Sequence, residues 1–270
     1  GITKESCYKY LAFGRWFNIM GLGNSFGISS ETNNNIVTDG LILDINASYK
    51  KSYPKSGTAL TDLSGNHANG TLTNGPTFSD SFGGAINLDG TNDFISTDTD
   101  FASYVALTVS VWLDADTFSN YMGIVAQQTS GSPNASGFGF PTHLSGNVYY
   151  FIRSNSTDNF VNTGISYPTG LSHMVLTWNS SGGANKFYLN GELKFTNGTT
   201  ITDAMGSDIP DTLLIGAIQW SDGNHNSVAD AQAFDGKLYN VQLYNKELTA
   251  GQVLQNYNAQ KQRFGLWYGL

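Results

Sequence analysis

The chain has 270 residues, 40% apolar and 13% charged, with 31 glycines, one cysteine and a net charge of −8. So much apolar material with so little charge excludes disorder, and the acidic balance excludes nucleic acid as the partner of a folded body, because phosphates demand a basic face. Cys7 alone excludes an internal disulfide, no apolar run reaches the ~18 residues of a membrane-spanning helix, and no basic stretch leads into an apolar run at the start, so neither membrane insertion nor a signal peptide is expected.

Residues 1–38 differ from the rest of the chain. The stretch from Tyr8 to Ile28 is aromatic and broken by Gly14, Gly21, Gly23 and Gly27, which disfavour a long helix. It is too short to bury its apolar side chains within itself and too apolar to leave in water. It is therefore expected to be an extended arm that packs on another chain, with Phe13, Trp16, Phe17, Met20 and Phe26 as anchors. Ser29 to Asn35 reads as a linker.

From Gly40 onward strand follows strand. Gly40 to Ile45 is a buried run. In Ala85 to Asp89, Ile86 and Leu88 point one way and Asn87 the other; after Gly90-Thr91-Asn92-Asp93 the alternation resumes at Phe94. That pattern predicts a half-buried antiparallel hairpin. Ala106 to Leu113, Gly123 to Ala126, Val148 to Ile152 and His173 to Trp178 read as further strands. Lys186 to Leu189 and Leu193 to Phe195 flank Asn190-Gly191, the strongest short hairpin signal, since both turn residues must tolerate positive φ. Leu213 to Gly216 and Gly236 to Tyr244 complete the set. Roughly a dozen short strands with regular turn signals predict an all-β, two-sheet antiparallel sandwich. Thr249 and Gln252 have capping-box spacing. They open a short C-terminal helix whose narrow apolar face, Val253, Leu254 and Tyr257, is expected to cap the sandwich.

Several segments, in order, resemble laminin-G-like, concanavalin A-like jelly-roll domains. Asp39 to Asp44 followed by Asp62-Leu63-Ser64-Gly65-Asn66-His67-Ala68-Asn69-Gly70 is similar to the opening of such domains, and Leu107 to Trp112 to their F-T-x-S-x-W strand. His173 to Trp178, Tyr188 to Leu193 and Phe234 to Thr249 resemble the later strands and the closing segment, with Asn240 where the family usually has an acidic residue. The resemblance covers about residues 39–259 and implies a jelly roll, leaving 1–38 as arm and linker and 260–270 as a tail. Leu254 to Leu266 also resembles the ends of such domains in virion proteins of tailed bacteriophages. That likeness implies a non-enzymatic virion structural protein. It would be assembled in the host cytoplasm, anchored by its arm to other virion proteins in a larger assembly, and display the jelly roll on the particle.

Catalysis finds little support in the residues. Glycoside hydrolysis needs two carboxylates flanking the scissile bond, and the four glutamates, Glu5, Glu31, Glu192 and Glu247, lie outside the predicted core strands. Asp114 and Asp116 close a strand, where Asp is common for backbone reasons. A glycoside hydrolase is the remote alternative. The nearer one is an adhesin for host polysaccharide, with or without calcium. Trp220, Asp222, Asn224 and His225 share a long polar loop and are the candidate glycan-binding residues, because loops on rigid scaffolds carry function. Asp89, Asn92 and Asp93 crowd one turn and are the candidate calcium ligands, the family resemblance adding rim calcium sites as a precedent. No cofactor is expected to be required.

Overall fold

A computed structural model describes residues 35–98, 104–128, 137–154, 157–182, 184–198, 201–202, 205, 212–218 and 232–266. The chain divides between Thr32 and Asn33, and all described residues belong to the second unit. They form two eight-stranded antiparallel sheets. The first runs in the order β14 (Glu192–Thr196), β13 (Lys186–Leu189), β12 (Gly170–Asn179), β7 (Ala106–Ala115), β16 (Asp235–Tyr244), β5 (Ala85–Asp89) and β4 (Thr77–Ser79), with β1 (Leu41–Asn46) also paired to β16. The second runs β11 (Thr157–Ser166), β10 (Asn147–Ser154), β9 (Gly137–Leu144), β8 (Gly123–Gln128), β15 (Thr212–Ile215), β6 (Phe94–Asp98), β3 (Gly70–Thr73) and β2 (Ala59–Leu60). The expected jelly-roll sandwich is what the chain forms.

Alternation sets the core. Val109, Val111 and Leu113 of β7, Met174 and Leu176 of β12, and Val241 and Leu243 of β16 face Ile95, Ile124, Phe138, Phe140, Tyr150 and Ile152 of the other sheet, all buried in one cluster. The Asn190-Gly191 hairpin joins β13 to β14 as predicted, with φ of 53° and 82° at its two tip residues.

The predicted Ala85–Ile95 hairpin is overturned. β5 pairs with β16 and β4 in the first sheet, whereas β6 pairs with β15 and β3 in the second. Residues 90–93 therefore cross from sheet to sheet. Gly90, at φ 72°, lies so close to Asp235 that an added Cβ would come within 2.6 Å of that residue's Cβ. Turn chemistry and alternation look the same for a hairpin and for an arch between sheets, and only the partners of each strand tell them apart.

On its outer face the first sheet is unusual. Trp112, opposite His173 in register, points away from the core and is fully buried. Helix α1 (Ala250–Lys261) and the 3₁₀ turn Gln262–Phe264 cover it. The Trp112 ring stacks on His173 at 4.8 Å, on Tyr257 at 5.5 Å and on Phe264 at 4.3 Å. The capping box that starts α1 forms as predicted. The helix's inward face does not match the expectation, since Leu254 is 45% exposed and Asn256 is buried in its place. The reason is polar: Asn256 Oδ1 accepts the Val37 N–H at 2.8 Å, and its Nδ2 donates to Tyr244 Oη at 2.9 Å. Tyr244 in turn donates to the Val37 carbonyl at 3.1 Å. A leucine there would orphan the Val37 N–H, at about 1–3 kcal/mol, and leave Tyr244 Oη only its bond to the Val37 carbonyl.

His173 is fully buried, its Nε2 2.9 Å from Ser110 Oγ and its Nδ1 without a partner. Burial disfavours the imidazolium and lowers its pKa to about 3. The unfolded imidazole binds a proton near pH 6.5, so below that pH the unfolded chain holds a proton that the folded one refuses. Stability should therefore fall as pH drops from about 6.5 toward 3, by about 1.4 kcal/mol per unit from this group. Denaturant unfolding at pH 7, 5 and 4 measures it; His173→Gln should flatten the slope, and parallel curves for the two proteins would contradict the assignment.

Candidate functional site

Among the described residues, a groove of about 680 Å³ lies on the outer face of the first sheet. Asp44 and Asn46 of β1 and Gln242 of β16 form its floor, Tyr49 stands on the turn after β1, and Gln260 and Arg263 approach from the C-terminal end. Ile36 and Leu63 supply apolar wall.

The floor is polar because alternation turns these residues away from the core. Leu43 and Ile45 point inward and are buried in the main cluster, so Asp44 and Asn46 point out. Asp44 is 8% exposed. Its Oδ1 accepts from Asn240 Nδ2 at 2.9 Å and Gln242 Nε2 at 3.3 Å. Its Oδ2 accepts nothing from any described residue. Desolvation raises the Asp44 pKa most, the two amide donors lower it, and the nearby Asp62 charge raises it again, for a net upward shift. Asp62 is itself buried and organises the Ser64–Ala68 turn: Oδ1 accepts the N–H groups of Asp44 and Ser64, and Oδ2 accepts Ser64 Oγ at 2.6 Å and the Ala68 N–H.

Arg263 pins the C-terminal turn in place. Its Nε donates to Phe82 O at 2.9 Å, Nη1 to Asn46 Oδ1 at 3.0 Å and Nη2 to Gly84 O. The guanidinium lies 4.9 Å from the Phe264 ring centre and 5.5 Å from that of Tyr239. Burial lowers its pKa to about 10, with the Tyr239 and Tyr49 hydroxyls acting the other way, so it stays charged at neutral pH. Tyr49 is 60% exposed and presents a flat face beside these groups.

Of the sequence-predicted candidates, the structure brings together only the Asp89–Asp93 turn. Asp89 Oδ1 accepts the Thr91 N–H at 2.9 Å and Asp93 Oδ2 accepts the Asp89 N–H at 3.2 Å. Asn92 contributes its carbonyl to Asn74 Nδ2 at 2.8 Å. Asp93 is 3% exposed and its Oδ1 has no partner; burial first, then the Asp89 charge, raises its pKa. No group of three or more His, Cys, Asp or Glu suited to a metal occurs among the described residues. Phe13, Trp16, Phe17, Met20 and Phe26 lie outside the described residues, as do Trp220, Asp222, Asn224 and His225. Glu192 and Glu247 are taken up in ion pairs with Lys194 and Lys186, each at 2.6 Å, and Asp116 pairs with Lys237 at 3.2 Å.

Sequence reasoning missed the groove. One signal was readable: Asp44 and Gln242 are polar residues inside otherwise apolar strands, and Asn240 replaces an expected acid beside them. In the fold, Asn240 Nδ2 donates both to Asp44 and to the Ile45 carbonyl at 3.0 Å. A carboxylate there would face a carboxylate.

The fold is shared with solved structures, and a family model matches the chain. The family model Laminin_G_3, described as the concanavalin A-like lectin/glucanases superfamily, matches residues 89–254. No curated protein matches the chain. Among solved structures, domain 4 of AbnA, a GH43 extracellular arabinanase from Geobacillus stearothermophilus, in complex with arabinotriose, superposes with a TM-score of 0.60 at 21% identity, covering 80% of this chain and 98% of that one. The binding domain of botulinum neurotoxin DC, in complex with rat synaptotagmin II, gives 0.58 at 15% identity over 82% of this chain and 52% of that one. The binding domain of Paraclostridial Mosquitocidal Protein 1 gives 0.58 at 16% identity over 82% and 52%. The matched part of this chain thus spans about half the length of these toxin domains.

The raised Asp44 pKa has a testable consequence. Its proton is held more tightly in the fold than in the unfolded chain, so the stabilisation is complete below the ordinary carboxylate pKa of about 4. It is lost as pH rises through the higher folded value. Asp44→Asn keeps an acceptor for Asn240 and Gln242. Relative to that variant, the native protein should gain stability between neutral pH and pH 4; a constant difference in unfolding free energy would refute the assignment.

Proposed function

The chain belongs to the concanavalin A-like lectin/glucanases superfamily, and from that premise we propose that it is a non-catalytic, carbohydrate-binding jelly roll that recognises polysaccharide through the groove over its first sheet. The observation that carries the reading is the exposed Tyr49 face set beside the hydrogen-bonded floor of buried Asp44 and Gln242 and half-buried Asn46. An aromatic plane next to fixed polar groups is the chemistry that a sugar ring needs, one apolar face and a rim of hydroxyls. The arabinanase domain solved with arabinotriose and a botulinum neurotoxin type C structure described by its interaction with two ganglioside molecules support a glycan as the ligand class. The Trp220 loop, with Asp222, Asn224 and His225, is the other candidate surface.

On the biological setting, the proposal is a tailed-phage virion protein that displays this module. Its support is the aromatic segment around Phe13, Trp16, Phe17, Met20 and Phe26 and the likeness of Leu254 to Leu266 to the ends of virion jelly rolls. The alternative is an adhesin acting outside a particle, and both settings use the same glycan chemistry. A cation at the Asp89–Asp93 turn is a separate proposal supported by the unpartnered Asp93 Oδ1; a chelator that leaves the melting temperature unchanged rejects it.

Three measurements bear on these readings. On a polysaccharide array the protein should bind a defined subset of glycans, and flat signals throughout would reject carbohydrate recognition. Tyr49→Ala, at an exposed site, should change stability by no more than about 0.5 kcal/mol yet weaken glycan binding about ten-fold, or about 1.4 kcal/mol; unchanged affinity would move the site elsewhere. Deleting residues 1–32 should leave the sandwich folded, with a melting temperature close to that of the full chain, and abolish incorporation into particles. Normal incorporation of the truncated protein would refute the arm as anchor.

A further inference from the structure

Within the groove, an inventory of spent and unspent hydrogen-bonding groups narrows the ligand. Asn46 Oδ1 already accepts three bonds, from Ser48 N at 3.1 Å, Ser48 Oγ at 2.8 Å and Arg263 Nη1 at 3.0 Å. Gln242 Oε1 accepts from Gln260 Nε2 at 2.9 Å, and its own Nε2 gives one of its two N–H groups to Asp44. The second N–H of Gln242 and both N–H groups of Asn46 Nδ2 remain as neutral donors, and three further features are unspent. Asp44 Oδ2 accepts no bond from a described residue, and a carboxylate oxygen can only accept. Arg263 uses three of the five N–H donors of a guanidinium. Tyr49 offers an exposed ring.

The charges are also unspent. The ion pairs among the described residues join Lys55 to Asp80, Lys186 to Glu247, Lys194 to Glu192, Lys237 to Asp116 and Lys246 to Asp39. Neither Asp44 nor Arg263 takes part, although both line the same groove. A half-buried guanidinium without a carboxylate favours an anion, and a planar carboxylate fits its remaining donors better than any neutral acceptor. A groove-lining carboxylate oxygen that no described residue donates to favours hydroxyl groups.

Resting on the carbohydrate reading above, we propose that the groove selects an acidic sugar, a uronic or sialic acid residue. Its carboxylate meets Arg263, its hydroxyls donate to Asp44 Oδ2, and its ring lies on Tyr49. The net charge of −8 repels a densely charged polyanion, so the acidic sugar is a terminal or widely spaced residue of the polysaccharide.

The test compares each acid with its own neutral form. Glucuronate, galacturonate and N-acetylneuraminate, each as methyl glycoside, are titrated into the ¹⁵N-labelled full chain alongside the corresponding methyl esters. The amides of residues 44–52 and 259–264 report on the groove. At least one acid should shift them with a Kd at least about ten-fold below that of its ester. Arg263→Lys keeps a cation but loses the planar fork, and should erase most of that preference. Because Arg263 also pins the C-terminal turn, the variant's melting temperature is measured in parallel, and Tyr49→Ala, at an exposed site, serves as the second groove variant and should weaken acid and ester alike. Equal affinity for acids and esters at these amides would overturn the acidic selectivity while leaving glycan binding intact. Sugar-induced shifts confined to other amides would overturn the groove as the site. A full chain that responds to no sugar here and binds no glycan on the array would bring down the carbohydrate reading as well.

Discussion

The structure depends on Trp112 facing the wrong way for a simple sandwich. In a two-sheet jelly roll the inner faces make the core and the outer faces meet water. Here a central strand puts a tryptophan on the outer face, between His173 and the strand β16. Leaving that ring in water would forfeit roughly 1.5–3 kcal/mol of burial. The chain therefore lays its C-terminal helix and 3₁₀ turn across the sheet, and Tyr257 and Phe264 close over the indole. His173 is buried by the same cover and held neutral.

That cover also makes the groove. Phe264, packed on Trp112, fixes its neighbour Arg263, which reaches over to Asn46 and to the carbonyls of Phe82 and Gly84. On the other side of the helix, Asn256 and Tyr244 hold Val37, so that the segment entering β1 forms a second wall. Between the two, half-buried Asn46 and the edge of Asp44 line the bottom of a cleft, with Gln242 buried beside them. Their polarity would be a liability under a fully packed layer, since each buried polar atom needs a partner. It persists beside a groove because the cover stops short. The jelly roll thus supplies rigidity, and the departure from it, a half-covered outer face, supplies the groove.

Much of the fold is legible in the sequence where the signal is local. The Asn190-Gly191 turn and the Thr249–Gln252 capping box each depend on a few adjacent residues, and both form as expected. β9 escapes a reading of the sequence because GFGFPTHL carries the glycine and proline that usually break a strand. The reason for Gly139 is tertiary: a Cβ there would lie 2.2 Å from Cε1 of Phe151 on the next strand. Hydrophobicity assigns Leu254 to the buried face of α1, yet Asn256 takes it, because Val37 and Tyr244 present polar groups that no helix periodicity reveals.

By itself the sequence determined most of the longer strands, where the helix starts, and that the domain is a sandwich of the concanavalin A-like kind. These follow from alternation, turn residues and capping, all of which act within a few positions. Only the tertiary structure decided which strands pair, so that Ala85–Asp98 became an arch between sheets. It alone also brought Asp44 to Asn240 and Gln242, 196 and 198 positions away, and placed Arg263 across from them. Short-range propensity carries no information about partners that far apart; the pairing of β1 with β16 and the packing of the C-terminal turn on Trp112 bring them together.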